Sequence, residues 1–422
     1  MKAKRGAAHT TRQSPSGPRV VLAWEHGLHY GHVSRLAAAA EVVERHGGRP
    51  VWALPEARLQ KAAFFDASHE RVKAPAAPAP RPANGTLHSF ADVLLNMGFA
   101  EVSAMAIRVR SWMRLFAELS PASVVLDNAP AAQLAARLMG LRCFQLTNGF
   151  DAPPARCPDF SAGERRPQVL QLHATSLATL ERNLRRTAML CTGHGEVTVA
   201  DFLAWPQTVF DGLLETDPYG PRHLDWWVGP LGAPPHALPL SWPERGKGDK
   251  RVLAYMRATL GGTEALGGLA NRGVNCLCVW PGVPARTLAR FERSSVQILP
   301  HARSLQRLLP QADAVLSYGA TSFVCQSLLA GKPQLVLPMD VEKRLIANRV
   351  AWHGAGIVWH SQAEEDLHHC LDRLLHADAV ASAARDIAAG YADLPWEARK
   401  VAWGQAMLGL DGAEGEGLEG VA

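Results

Sequence analysis

A chain of 422 residues that is 47% hydrophobic can bury a large core, and its length suits two domains better than one. Its formal charge of +5 favours anionic small ligands but is too slight for a nucleic-acid partner, and no aromatic-basic or zinc-spaced motif supplies one. No apolar run reaches the length of a membrane span and the first residues hold no apolar signal segment, so a cytoplasmic protein is expected.

The charge is unevenly laid. Residues 1–18 carry Lys2, Lys4, Arg5 and Arg12 with no acid, and residues 411–422 carry Asp411, Glu414, Glu416 and Glu419 with no base. Both ends read as disordered tails whose charges cancel, which leaves the mild basic excess on the folded body. The seven cysteines are scattered and odd in number. Cys276 and Cys278 share one face of a strand-like run, so reduced, buried thiols are expected.

In chain order, "RVVLAW" (19–24) predicts a buried strand, and "HVSRLAAAAEVVERHGG" a helix stopped by Gly47-Gly48. "PVWAL" is a second strand, and "APAAPAPRPANG" (74–85) a Pro/Ala loop. Helical patterns follow over 87–96 and 101–119, then the strand "SVVLDN", the helix "APAAQLAARLMG" and the strand "RCFQLTN". Pro and Gly crowd residues 226–250, after which "RVLAYM", "VNCLCVW", "SVQILP", "ADAVLSYG" and "PQLVLP" read as strands, each followed by a helix-like segment. The alternation predicts an α/β chain with two doubly wound, mostly parallel sheets and a cleft between them. The expected divisions are 1–18 tail, 19–228 first domain, 229–249 linker, 250–390 second domain, 391–410 C-terminal helix and 411–422 tail.

Ligands of such sheets sit beyond the carboxyl ends of the strands. Two strand ends carry chemistry there. In "WEHGLHYGHVSRL" the strand stops at Trp24, a loop with Gly27 and Gly31 follows, and His32 stands at the helix start. An imidazole in that place serves either as a general base or as a helix cap. His26, His29 and His32 lie on a glycine loop and not on one helical face, so no metal is expected. In "SVVLDNAPAA" Asp127 closes an apolar strand, either to orient a neighbouring imidazole or to cap the next helix.

The stretches "YGHVSRL", "VVLDNAPAAQLAARLMGLRCFQLTN", "WWVGPLG" and the long run from Leu299 to Gly356 give an order of features that resembles the GT-B glycosyltransferases. The macrolide and plant small-molecule enzymes are the nearer echo, and the enzyme that glycosylates lipid-linked muramyl-peptide a more distant one. The resemblance implies two Rossmann-like domains facing across a cleft, and transfer of a sugar from a nucleotide diphosphate with inversion. It implies His32 as the base that deprotonates the acceptor and Asp127 as its partner. It also implies a C-terminal helix that crosses back to the first domain.

By the same resemblance, Tyr318, Gly319, Ala320, Thr321 and Ser322 stand where a His-Gly-Gly-type turn and the following helix hold the donor diphosphate through backbone N–H groups. Gln326 replaces the ribose-binding Glu, and Glu342-Lys343 replaces the acid-Gln pair that holds the sugar. Gln326 lacks the charge of a Glu, a loss of about 1–2 kcal/mol, and Lys343 favours phosphate or an acidic sugar. Arg257 falls where the first loop of the second domain meets the diphosphate, and His301 where the nucleobase is read. The acceptor is expected on first-half loops: Gly31, residues 74–85, the turn at Met97 and Phe99, and the segment beginning at Asn148. Their apolar, Pro-rich character points to a hydrophobic small molecule or a lipid, and a lipid would bring the protein to a membrane surface. The expected co-substrate is a UDP or dTDP sugar, with no metal and no other cofactor. Two rival readings are a nucleotide-sugar isomerase, which would need several acid/base carboxylates that the sequence does not show at the cleft, and a non-catalytic relative serving as a binding or auxiliary protein, which the altered donor residues favour. His368-His369 and the Trp396/Trp403 pair read as a solvated helix face and a packing stripe.

Overall fold

The computed structural model describes residues 17–27, 30–59, 69–77, 87–160, 167–231, 240, 242, 248–301, 303–360 and 365–410. Nearly all of both expected tails, His29, residues 78–85 of the Pro/Ala loop and most of the expected linker lie outside them.

Thirteen strands form two wholly parallel sheets among the described residues. The first contains β1 (Arg19–Trp24), β2 (Arg49–Leu54), β3 (Glu70–Lys73), β4 (Ser123–Asp127), β5 (Cys143–Thr147), β6 (Gln207–Phe210) and β7 (Trp226–Trp227). Their order is β3-β2-β1-β4-β5-β6-β7. The second contains β8 (Arg251–Tyr255), β9 (Asn275–Val279), β10 (Val296–Leu299), β11 (Ala314–Ser317), β12 (Gln334–Val336) and β13 (Gly356–Val358), in the order β10-β9-β8-β11-β12-β13. Central strands such as β1 and β4 are buried on both faces, which is why they read as unbroken apolar runs. The edge strand β3 (ERVK) is half exposed and polar, and β7 is two residues long; neither carries a strand pattern in sequence. The short β6 and β13 escape for the same want of length.

The first sheet is flanked by α1 (Tyr30–Arg45), α2 (Glu56–Leu59), α3 (Phe90–Leu94), α4 (Val102–Leu119), α5 (Pro130–Leu138), α6 (Pro167–Thr192) and α7 (Val199–Ala204). The second is flanked by α8 (Gly262–Asn271), α9 (Ala285–Phe291), α10 (Thr321–Leu329), α11 (Val341–Trp352), α12 (Leu367–His376) and α13 (Asp378–Gly390). The chain then ends its described part in α14 (Trp396–Met407). The helix expected over 87–96 is α3 continued by a π-helical turn, Leu95–Phe99, that bends at Gly98. α6, the longest helix, was not expected; only its second half buries side chains, so its apolar period is weak. Among the described residues no single helix is long and apolar enough to cross a membrane.

α14 lies against the first sheet. Trp403, Ala406, Met407 and Leu408 share a core with Val20, Leu22 and Phe144. The Met407 carbonyl accepts from Ser123 Oγ at 2.6 Å, and that of Ala406 from Arg142 Nη1 at 2.6 Å. Trp396 packs instead on Trp227 and Tyr391, beneath a smaller core that joins Leu213 of the first half to Val324, Ile346 and Val350 of the second. The two tryptophans therefore fill different cores and do not form one stripe. His368 and His369 are exposed on α12. All seven cysteines are unpaired, and six are buried.

In both sheets the strand order reverses between two neighbours: β1 and β4 in the first, β8 and β11 in the second. Register pairs Trp24 with Asp127 at one reversal and Tyr255 with Ser317 at the other. A reversal leaves a crevice beyond the strand ends because the two following helices lie on opposite faces. Each crevice receives the residues singled out above.

Candidate functional site

At the first reversal, α1 starts at Tyr30, so Gly31 and His32 sit inside its first turn and not before it. His32 Nδ1 lies 2.7 Å from Asp127 Oδ1, with the imidazole about one-fifth exposed and the carboxylate fully buried. Asp127 does not cap α5. The Glu25 carboxylate performs that task, accepting from the N–H groups of Ala131 at 3.2 Å and Ala132 at 2.8 Å. The Trp24 indole stacks on the imidazole, with ring centroids 5.3 Å apart, and its Nε1 donates to the His26 carbonyl. Gly27 has φ +120°, and a Cβ built there would overlap His32 Nε2. Glycine at 27 thus leaves that nitrogen unobstructed.

Arg35, one turn along α1, completes the group. Its Nε donates to Asp127 Oδ2 at 3.1 Å and its Nη2 to Oδ1 at 2.5 Å, while Nη1 reaches Asp211 Oδ1 at 3.5 Å. Asp211 follows β6, and its N–H donates to the Thr147 carbonyl at the end of β5. Asp151 is held by Thr147 Oγ1 and by Gln145 Nε2. One guanidinium thus faces two buried carboxyl groups, Asp127 and Asp211, and the field of the half-buried Asp151 in the segment after β5. Burial works against the charge of Asp127, yet Arg35 and His32 hold it below the ordinary aspartate range. Burial instead dominates at Asp211, pushed up to about 6, and at Asp151, also raised. Buried His26 is lowered to about 4 by burial and by Arg108, so it is neutral near pH 7. Among the described residues no group of His, Cys, Asp and Glu is arranged to hold a metal ion.

At the second reversal, Gly319 (φ +93°) turns the chain into α10. Not all of the expected cradle is available. The Tyr318 N–H donates to the Tyr255 carbonyl at 3.1 Å and the Gly319 N–H to Ser317 Oγ at 3.2 Å. The donors left for an anion are those of Ala320, Thr321 and Ser322 at the start of α10, which has no side-chain cap. Tyr318 is buried against Tyr255, with centroids 5.5 Å apart, and burial pushes its phenol up to about 12 despite nearby Arg257 and Lys343. Arg257 Nε is buried without a partner among the described residues, an orphaned donor beside that turn. Lys343 packs its stem against Gly319 and sets its ammonium 2.8 Å from Glu342 and 3.3 Å from Asp340. Burial opposes the Glu342 charge, but Lys343 and Asn148 hold it below the usual range, and His32 contributes in the same sense. Gln326 is half-buried on α10, and His301 is exposed just past β10.

Asn148, expected on an acceptor loop, is half-buried, and its Nδ2 donates to Thr321 Oγ1 at 3.0 Å and Glu342 Oε1 at 2.8 Å, tying the end of β5 to the starts of α10 and α11. Phe99 is misplaced by the sequence reading: it is fully buried and packs edge-on against Phe202. Met97 stays half-buried, and Phe150 lies half-buried against Phe90 and Phe160. Sequence reading missed Arg35, Asp151, Asp211 and the screening role of Gly27. Arg35 was accessible in principle, since i and i+3 share a helix face with His32.

No family model matches the sequence. ElmGT, the elloramycin glycosyltransferase of Streptomyces olivaceus, is 31% identical over 192 residues, 42% of this chain and 48% of that protein. The chain therefore matches about half the length of this curated relative. Among solved structures, the glycotransferase of kitacinnamycin superposes with a TM-score of 0.67 at 16% identity, over 93% of this chain and 99% of that one. The glycosyltransferase VinC, solved in complex with dTDP, gives 0.63 at 16% identity over 93% and 99%. At that identity the likeness is one of fold, and the fold of this chain is GT-B.

Proposed function

We propose that this chain is a glycosyltransferase that moves a sugar from a nucleotide diphosphate to a hydroxyl of an apolar small molecule, with inversion and with His32 as base. The observation that carries the reading is the imidazole itself: Nδ1 is engaged by a buried aspartate while Nε2 is kept open by Gly27. An ionised Asp127 accepts only, so Nδ1 bears the proton and Nε2 the lone pair. Nε2 takes the acceptor proton, the acceptor oxygen attacks the anomeric carbon, and the bond to the diphosphate breaks with its electron pair on the leaving oxygen. The N–H groups of Ala320, Thr321 and Ser322, with Arg257 and Lys343, are suited to receive that charge. Asn148 and the electrostatic reach between Glu342 and His32 support the view that base and anion seat face one another. The half-buried Phe150, resting on the buried Phe90 and Phe160, supports an apolar acceptor.

The dTDP in VinC makes that nucleotide the first to try, with UDP and GDP beside it. Thermal unfolding with each should reveal one that stabilises by about 2.7 kcal/mol at 100 times its Kd. With the matching donor, His32→Ala should lower turnover by about 10²–10⁴-fold while the nucleotide shift persists. No shift with any nucleotide would replace this reading with that of a non-catalytic relative.

A further inference from the structure

The sequence resemblance accounts for His32 and Asp127 but leaves Arg35 without a part, although it makes the densest set of charged contacts at the site. Its three nitrogens meet Asp127 at 3.1 and 2.5 Å and Asp211 at 3.5 Å. Nη2 also lies 3.3 Å from His32 Nδ1. That last approach is not a hydrogen bond if Nδ1 already donates to Asp127, because both atoms would then be donors. With the carboxylate charged and the imidazole neutral, Nδ1 carries the proton toward Asp127 and Nε2 keeps the lone pair.

A fully buried carboxylate does not stay charged without a compensating group. The neutral imidazole gives Asp127 one hydrogen bond and no positive charge, so Arg35 is the cation that meets this need. A protonated Asp127 would turn one oxygen into a donor and let the imidazole take the opposite tautomer, with its lone pair turned inward. Arg35 also crosses the ends of β4 and β6, and Asp151 adds its field from the segment after β5. The first turn of α1 is thereby pinned to the sheet at the same place where it presents His32.

We propose that Arg35 is a positioning residue: by spanning Asp127 and Asp211 it keeps the dyad carboxylate charged and holds His32 in the tautomer whose Nε2 faces the acceptor. This rests on the base assigned to His32 above, but its test does not need a donor or an acceptor. In protein labelled with ¹⁵N-histidine, the His32 ring signals, identified by their loss in His32→Gln, should report the Nδ1–H tautomer at pH 8. Arg35→Gln should give a mixture of tautomers, and Arg35→Lys, which restores charge but not the fork, should recover most of the original form. Where a donor is in hand, Arg35→Gln should lower kcat by about 10²-fold with donor KM within about threefold, and Arg35→Lys should regain about tenfold of it. A packing role alone would leave the tautomer unchanged or move kcat, KM and melting together. An unchanged Nδ1–H tautomer in both variants overturns the proposal. If Arg35→Gln does not fold, the tautomer in Arg35→Lys decides: a pure Nε2–H form would also overturn it. A tautomer that follows Arg35 in a protein that binds no nucleotide would uphold the positioning role and defeat only the glycosyltransferase reading.

Discussion

The two strand-order reversals of this chain occupy equivalent places in two similar sheets, yet they are built differently. At β1/β4 the working groups are side chains, and each is fixed by another: Trp24 on His32, His32 on Asp127, Asp127 on Arg35, Arg35 on Asp211. At β8/β11 the proposed anion seat is mostly backbone, and the side chains around it satisfy one another, Lys343 with Glu342 and Asp340, Glu342 with Asn148. The contrast follows from the chemistry each end is proposed to serve. Proton transfer needs one nitrogen with one tautomer, so a change of side chain there removes the function. Anion binding by N–H groups survives a change of side chain, which is how Tyr318 can stand where a histidine is expected.

The contrast is broken most sharply by placing the same methyl group at both ends. Gly27→Ala puts Cβ onto His32 Nε2 and strains a backbone at φ +120°. Turnover should fall by about 10²-fold as the hydroxyl is displaced from the base, with nucleotide binding unchanged. Gly319→Ala puts Cβ 2.8 Å from Lys343 Cβ at φ +93° and should weaken nucleotide binding before it touches the chemical step. Steady-state kinetics beside nucleotide titrations separate the two. If both variants lose kcat alone, the division of labour between the reversals is wrong.

A second test uses stability and pH. Burial raises Asp211 to about 6 from its ordinary 3.8, so between those values the folded state holds a proton that the unfolded chain has released. Stability therefore falls as pH rises through that window and levels off above it. Asp211→Asn removes this loss: its melting temperature should exceed the parent's at pH 8 by an amount on the order of 2 kcal/mol in unfolding free energy, and the gap should close toward pH 4. Asp127 acts in the opposite sense, since its lowered range gives stability that is present at neutral pH and lost on acidification through it. A melting curve against pH in which Asp211→Asn and the parent run parallel would show that Asp211 stays charged with Arg35 throughout.

How much of this was legible in sequence differs between the two ends for the same reason. His32 and Asp127 each follow a continuous apolar strand, so their place beyond the sheet could be read directly. Asp211 has the same position, but β6 (QTVF) is too short and too polar at its start to announce itself. Arg35 was hidden in plain view on an alanine-rich helix, where a polar residue reads as solvent-facing unless its partner is known. At the second end the expected turn was found, but the Tyr318 amide is taken by the Tyr255 carbonyl across the strand pair, which no local pattern records, and the Gly319 amide by Ser317 Oγ two residues back. Phe99 was misassigned because a loop residue was credited to the surface, whereas it fills the core, and the bridge from Asn148 to α10 and α11 joins segments far apart in sequence.

The smallest expected effect is the most discriminating for the second end. Lys343 has two separable roles: it neutralises Glu342 at 2.8 Å, and it adds a positive charge beside the start of α10. Lys343→Gln leaves the half-buried Glu342 carboxylate without its cation beside the proposed diphosphate seat, and nucleotide affinity should drop by about tenfold, near 1.4 kcal/mol. Removing both charges with Glu342→Gln/Lys343→Gln distinguishes the roles. Affinity that returns to the parent value means that the lysine serves only to silence its neighbour, and the backbone N–H groups hold the anion unaided. Affinity that stays low means the ammonium itself binds phosphate, in which case the second end depends on a side chain after all and the contrast with the first is one of degree.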